Sequence, residues 1–599
     1  MTADLFKKAL HAHQSGDLKS ASEYYQKLLK RAPREYNALQ LLGGVYHAQG
    51  DNRSALKYLL ASLKIKPDQP QVMLNVATCQ RQLQEYTAAL GTLSQVIRKD
   101  PANFGAFKSR MFVLVEMGDY QRAYQELDTQ IHKFPGHYEL YNLLGAVASE
   151  CEHYQKAIKA YKKALKIRPN SDVARHNLGL AYCQNNEPEN ALKEYLIVLN
   201  SGKHSYQLMH NLGNAYLDLG HFEQAITYFN NALKLNYKSL DSHKKLSDSL
   251  WQSGEIKNYL RNFETAIKKY PDEKKFLYEY VHRLLKGQCN LDAKALLEAH
   301  YHKHKEDCVF QYLYGKCLTS VGEVDEARSW LLKASASNQL SDDEKLDLCG
   351  YLLAVQEAEP VRKITSEILT EKPEHVGALA WWGLYLRKVS DDAERELNNY
   401  QQLIGEYQIF DPRVDSNFYR TLLNTLTRLH LANEELIDKS SHNGTQTRRH
   451  LFKTEVPCLL ELETRFKGCV EDYLTEKSQY RKWGPWPESD KFVISDAWSV
   501  RLKEQGYHKG HYHPRGQISG IFFLSLPKPG GSIEQNSGYL AFGDPDIGNV
   551  DDFPAQHLIK PEVGKLVIFP SCFWHSTNTQ TLSGQKITIS FDVNAPKFS

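Results

Sequence analysis

The sequence predicts a multidomain chain: an N-terminal all-α superhelical solenoid of repeated helix hairpins, followed by an all-β-rich jelly-roll domain with a flanking helix. Three observations carry this prediction. Gly16, Gly50, Gly118, Gly220, Gly254 and Gly322 are separated by multiples of a 34-residue period. After about residue 435 the period disappears, and short β-like segments punctuated by Gly and Pro take its place. Histidines then crowd one short stretch and recur near the end of the chain. At 599 residues the chain is too long for one hydrophobic core.

The repeat is read element by element. Gln84, Glu152 and Asn186 occupy the same periodic slot where glycine is missing, and register holds from Gly16 to Gln356. Five residues after a slot stands a small residue, as at Ala21, Ala55, Ala89 and Ala123; further on, Pro33, Pro67, Pro101 and Pro169 recur. Gly43, Gly145, Gly179, Gly213, Gly315 and Gly383 precede the slot. Small residues let two antiparallel helices approach, a polar turn joins them, and proline ends the second. We expect about 11–12 such units over residues 1–405, the last a degenerate cap because its small residue slips to Ala393. Capping or connecting helices are expected over 406–437, and the second domain over 438–599.

That second domain opens on a polar stretch, Asp438–Arg449, read as a boundary or loop with Asn443-Gly444 as its turn. A helix is expected at Pro457–Thr475. Strands are expected at Phe492–Leu502, Ile518–Leu526, Gly538–Phe542, Lys565–Phe569 and Lys586–Val593. Strands of this length with turns between them build an antiparallel sandwich or jelly-roll barrel.

Composition argues against several classes. A formal charge of +3 gives no general nucleic-acid or membrane footprint. The ten cysteines are scattered and never spaced C-x-x-C, against a disulfide framework or a zinc ribbon. The start lacks a signal-peptide core, and the longest apolar stretch, near Gly377–Leu386, is about half of what a membrane helix needs. These features predict a cytoplasmic protein.

Histidine carries the chemistry. His508, His511 and His513 fall in an expected loop before the strand at Ile518, and residues i and i+2 of an extended segment share a side. His511 and His513 can therefore offer two imidazoles to one metal ion, with His575 as third ligand from another strand; such a nitrogen-rich site suits Fe, Mn, Ni or Cu. Lys586, opening the last strand, would need an anion to offset its burial, and Thr588 shares its face. The pair is expected to receive a carboxylate. In the repeats, Asn75, Asn177 and Asn211 hold equivalent positions in first helices.

The period and the pattern Leu39, Leu42, Gly43, Tyr46 resemble the tetratricopeptide repeat (TPR). The resemblance implies a protein or peptide partner on the concave surface, with Asn75, Asn177 and Asn211 resembling an asparagine ladder that binds peptide backbone. GTQT at Gly444–Thr447, WSVRL at Trp498–Leu502, HYHPRG at His511–Gly516, FPSCFWHST at Phe569–Thr577 and ITISFDV at Ile587–Val593 resemble the 2-oxoglutarate/Fe(II)-dependent oxygenases, whose fold is a double-stranded β-helix. More narrowly they resemble the oxygenase domain found behind TPRs in bacterial proteins. The resemblance implies Fe(II) on His511, His513 and His575, with Lys586 and Thr588 clamping the far carboxylate of 2-oxoglutarate, and an enzyme that hydroxylates its substrate. Two departures stand out: His513 occupies a position usually Asp or Glu, and the clamp is more often arginine. His508 stays open as a substitute for His513 or as its supporting partner. H-x-H followed by Gln517, with His575 five residues after Pro570, also resembles the cupins, which use no 2-oxoglutarate. An interaction scaffold with an inactive barrel is the remaining alternative.

Overall fold

The computed structural model describes residues 2–390, 392–430, 440–454, 456–480, 486–487, 491–527, 536–545, 547, 553–580 and 584–596. The chain divides into two compact units, 1–185 and 186–597.

The first unit consists of helix hairpins from Thr2–Gln14 to Asp172–Gln184. Its hairpins share one construction. The slot residue sits just past the C-terminus of each first helix with positive φ: 81° at Gly16, 84° at Gly50 and 76° at Gly118. Gln84 (62°) and Glu152 (60°) take the same left-handed conformation without being glycine. The slot is therefore a helix-ending position, which glycine occupies at least cost. Deeper in the hairpin, a Cβ added at Gly43 would lie 2.7 Å from Leu59, and one at Gly145 would lie 2.5 Å from the Tyr161 ring. Glycine lets the bulky residue sixteen positions later press against the first helix. The second helices stop two residues before Pro33, Pro67, Pro101 and Pro169, and the residue between has left the helical region, as the proline ring demands.

The second unit continues the pattern through helices Pro188–Asn200 to Val376–Lys388, with Gly213 against Phe229 and Gly315 against Leu331 repeating the close approach. Beyond the left-handed Ser390, two short helices, Ala393–Leu397 and Tyr400–Leu403, replace a full hairpin. Residues 406–408, expected within connecting helices, instead belong to strand β1 (Gly405–Gln408), because their backbone is taken up by a neighbouring strand. The helix Ser416–Leu429 follows, and 431–439 lie outside the described residues.

The remaining strands are β2 (Ser441–Gln446), β3 (Val493–His511), β4 (Ile518–Ser525), β5 (Leu540–Phe542), β6 (His557–Ile559), β7 (Lys565–Pro570), β8 (His575–Thr577) and β9 (Lys586–Asn594). They form one curled sheet in the order β1-β7-β4-β9-β3-β8-β5-β6, with β2 on β3 and every ladder antiparallel. Two expectations change. The polar stretch after residue 440 is strand β2, its bulge at left-handed Asn443 serving as the anticipated turn. The stretch bearing His508 and His511 is no loop: β3 leaves β9 at Leu502, turns at left-handed Gln505, and pairs with β8 from His508.

Alternation along β9 divides the sheet into two faces. Ile587, Ile589, Phe591 and Val593 join a core with the helix Pro457–Glu476, where Phe591 stacks on Phe466 at 4.8 Å. Lys586, Thr588, Ser590 and Asp592 face a cavity on the other side. The core of the second unit's repeats takes in Trp574 and Phe553. Trp574 Nε1 donates to the Ala380 carbonyl at 3.1 Å, and its ring lies 4.8 Å from Trp381.

Candidate metal centre

Strand pairing brings the histidines together. His511 at the end of β3 is in register with His575 at the start of β8, and His513 lies just beyond β3. Ring centroids are 4.2 Å apart for His511–His575, 5.0 Å for His513–His575 and 5.4 Å for His511–His513. One nitrogen from each lies within 4.8 Å of the others. His508, the alternative kept open above, is outside this group; its Nδ1 lies 3.3 Å from Thr577 Oγ1 and its ring 5.9 Å from His511.

Hydrogen bonds assign the tautomers. Nδ1 of His511 meets the Lys509 carbonyl at 2.8 Å, Nδ1 of His575 the Phe573 carbonyl at 3.0 Å, and Nδ1 of His513 the Asp592 carboxylate at 2.6 Å. An oxygen acceptor opposite each Nδ1 places the proton there and leaves the lone pair on Nε2. His575 is 1% exposed, and its Nε2 is buried with no hydrogen-bond partner among the described residues. Burial, reinforced by the neighbouring His511 and His513 rings, holds it well below the usual imidazole range. A neutral, desolvated imidazole with an orphaned lone pair fits a metal ligand, and the three-nitrogen donor set fits a mid-to-late first-row ion.

The histidines open on a cavity of about 400 Å³ whose lining includes Trp498, Lys586 and Thr588. Lys586 is 2% exposed; its ammonium donates to the Gly538 carbonyl at 2.8 Å and lies 5.3 Å from the Phe523 ring centroid. Among the described residues no acidic group pairs with it, and burial alone pushes it down to about 7. Thr588 is buried on the same face of β9. Elsewhere, Asn75, Asn177 and Asn211 are each half-buried on the first helix of a hairpin, the first two in the first unit and Asn211 in the second.

Sequence reasoning missed Asp592 and Ser519, which stand behind His513, although polar residues at every second position of an otherwise apolar β9 were the available signal. It also missed the wedge formed by the residues between and beside the histidines. Tyr512 and Trp574 lie 4.9 Å apart and pack with the repeat core around Trp381.

A family model described as "Putative 2OG-Fe(II) oxygenase" matches residues 496–592. Tetratricopeptide-repeat models match residues 6–70, 48–104, 150–186 and 206–236. No curated protein matches the sequence. Among solved structures, the chain is similar to a TPR protein from Parabacteroides merdae, with 18% identity, 42% of this chain and 98% of that chain covered, and a TM-score of 0.32. It is also similar to yeast Tom70, with 15% identity, 67% and 99% covered, and a TM-score of 0.34. A third likeness is the C-terminal part of a TPR protein from Cytophaga hutchinsonii, with 14% identity, 40% and 99% covered, and a TM-score of 0.36. Among the described residues no helix is long and apolar enough to cross a membrane.

Proposed function

We propose that this chain, which carries TPRs and an oxygenase-family domain, is a 2-oxoglutarate- and O₂-dependent Fe(II) oxygenase that hydroxylates a protein or peptide held by the repeats. One observation carries the reading: a single cavity has three converging imidazoles and, on the same lining, a buried cation with no acidic partner among the described residues. His511, His513 and His575 would hold Fe(II) through Nε2, and Lys586 with Thr588 would receive the far carboxylate of 2-oxoglutarate. Bound iron with its co-substrate supplies the oxidation of an unactivated C–H bond, chemistry that no side chain provides.

The chain's own groups do the rest. The carbonyls of Lys509 and Phe573 keep the Nδ1 protons of His511 and His575 in place, so that Nε2 stays a donor. Lys586 Nζ releases the Gly538 carbonyl to meet an incoming carboxylate, and an ion pair in this dry setting raises the lysine pKa again. Ile521, Phe523 and Leu540 line the cavity with apolar surface and limit water beside the histidines. Asn75, Asn177 and Asn211 are the candidate contacts for a peptide backbone.

The test is succinate release from 2-oxoglutarate by Fe(II)-loaded protein under air, together with mass spectrometry of candidate partners for one added oxygen. A protein that holds iron and releases no succinate with any partner would favour a cupin-like enzyme. A protein that holds no metal would favour a binding scaffold.

A further inference from the structure

The polar face of β9 ends in a carboxylate that this reading leaves unused. Asp592 is buried, with Oδ1 2.6 Å from His513 Nδ1, and the same oxygen accepts from Ser519 Oγ at 2.8 Å. Ser519 Oγ lies 2.7 Å from Ser571 Oγ, so the hydroxyls can form a chain from Ser571 to Ser519 to the carboxylate. The ring and the chain both donate to one oxygen, which suits an ionised Asp592. The enclosure leaves no slack: a Cβ at Gly516 would lie 2.7 Å from Ser571 Oγ and 2.9 Å from Asp592 Cγ. Only glycine lets the loop after His513 close over this network.

The three histidines are not supported alike. His511 and His575 rest Nδ1 on neutral backbone carbonyls, whereas His513, of the three, rests it on a charged side chain among the described residues. Three neutral imidazoles offer a divalent ion no compensating negative charge, and a carboxylate hydrogen-bonded to one of them supplies it at one remove while making that ring a stronger donor.

We propose that Asp592 is the positioning residue of the metal centre: it fixes His513 in its Nδ1–H tautomer, aims Nε2 into the cluster, and supplies the negative charge that an all-imidazole site lacks. The inference rests on the reading that the cluster holds a divalent ion. Ser519 and Ser571 hold the carboxylate in place, so their contribution is smaller and acts through it.

The full-length protein, stripped of metal, is titrated with Co(II), read by its visible absorption, and with Fe(II) under anaerobic conditions. Asp592→Ala is expected to weaken metal binding by about 10–100-fold, the usual effect of removing such a partner. Asp592→Asn, which keeps an acceptor and loses the charge, should fall between wild type and Asp592→Ala, and Ser519→Ala should lose less than either. Long-range ¹H–¹⁵N spectra of metal-free protein read the tautomer directly. His513 should be Nδ1–H in wild type and shift toward Nε2–H in Asp592→Ala, which a merely structural role would not produce. If Asp592→Ala fails to fold by circular dichroism, the order of Asp592→Asn and Ser519→Ala still decides. Variants that bind Co(II) and Fe(II) as tightly as wild type would overturn the role of Asp592 alone. A wild type that binds neither ion would overturn the metal-centre reading, and this inference with it.

Discussion

Lys586 gives the sharpest test of the proposed co-substrate pocket, because the cavity leaves its charge unusually dependent on what binds. Its amine is almost fully buried, has the Gly538 carbonyl at 2.8 Å as its hydrogen-bond partner among the described residues, and is pushed down to about 7. In the empty site, then, the lysine is half-charged near neutral pH. A dicarboxylate needs the charged form, so its affinity should be flat below about pH 7 and fall roughly tenfold for each unit above, until the pKa of the anion-bound lysine is reached. Lys586→Met removes the cation and should weaken 2-oxoglutarate by about 2–5 kcal/mol, the range for truncating one partner of a buried charge pair. That is roughly 30-fold to several thousandfold. Lys586→Arg stays charged throughout and should bind with a flat pH profile, even where its longer fork fits less well.

The same residue predicts an opposite effect on stability. A base with a depressed folded-state pKa binds more protons when unfolded, between about pH 7 and 10.5, so stability rises with pH across that window and its cost is fully present below it. A shift from 10.5 to about 7 is at most about 5 kcal/mol. Lys586→Met should therefore melt higher than wild type at neutral pH, with the gap closing toward pH 10. Isothermal titration of 2-oxoglutarate into Fe(II)-loaded protein under nitrogen, between pH 6 and 8, and calorimetric melting of the empty protein read the two effects. A wild-type constant that is independent of pH, or an unchanged constant in Lys586→Met, would refute the pocket. Retained iron in that variant would show that only the clamp assignment had failed.

Other outcomes follow from the same geometry. His575→Ala should abolish stoichiometric Fe(II) by metal analysis, because it removes the ring whose Nε2 is buried and without a hydrogen-bond partner among the described residues, while Lys586→Met should retain the metal. A fragment beginning at residue 435 lacks β1 and the helix Val376–Lys388, leaving β7 unpaired along one edge and Trp574 uncovered; it should be aggregated or unfolded by circular dichroism, whereas 186–599 should fold. Trp381→Ala should cost about 3–5 kcal/mol in denaturant melts and also weaken metal binding, although Trp381 touches no metal.

Legibility in the sequence followed how local each determinant is. The repeat was legible because its turn imposes positive φ every 34 residues, and a regular slot can be followed even where Gln84 or Glu152 replaces glycine. The central strands were legible because β4 and β9 are buried on both faces or alternate cleanly. What escaped depends on pairing partners far along the chain. Residues Gly405–Gln408 become a strand only because β7 lies alongside, and Ser441–Gln446 only because β3 runs past it. For β3 the error ran the other way: the strand was expected to end at Leu502 with the histidines in a loop, yet it bends at left-handed Gln505 and carries His508 and His511 onto β8. H-x-H spacing nominated His511 and His513, but nothing in it separated His508 from them. That separation comes from the bulge between His508 and His511, a feature of register and not of spacing.

The placement of Tyr512 and Trp574 changes how the repeats bear on the chemistry. Tyr512 lies between the two histidines of the H-x-H pair, and Trp574 immediately precedes His575, so the backbone of every clustered histidine is continuous with a side chain anchored in the repeat core. Trp574 is held by a hydrogen bond to Ala380 and by ring contacts with Trp381 and Tyr512. Burial of this cluster therefore contributes to fold stability and to histidine geometry together, and neither can be altered alone. A helix displaced by a fraction of an ångström at Trp381 would move His575 relative to His511, and a shared ion on the proposed ligands would tolerate little such error. The repeats of the second unit thus form part of the wall on which the histidines are mounted. This is the physical reason to expect that a partner bound to these repeats would be felt at the proposed metal centre.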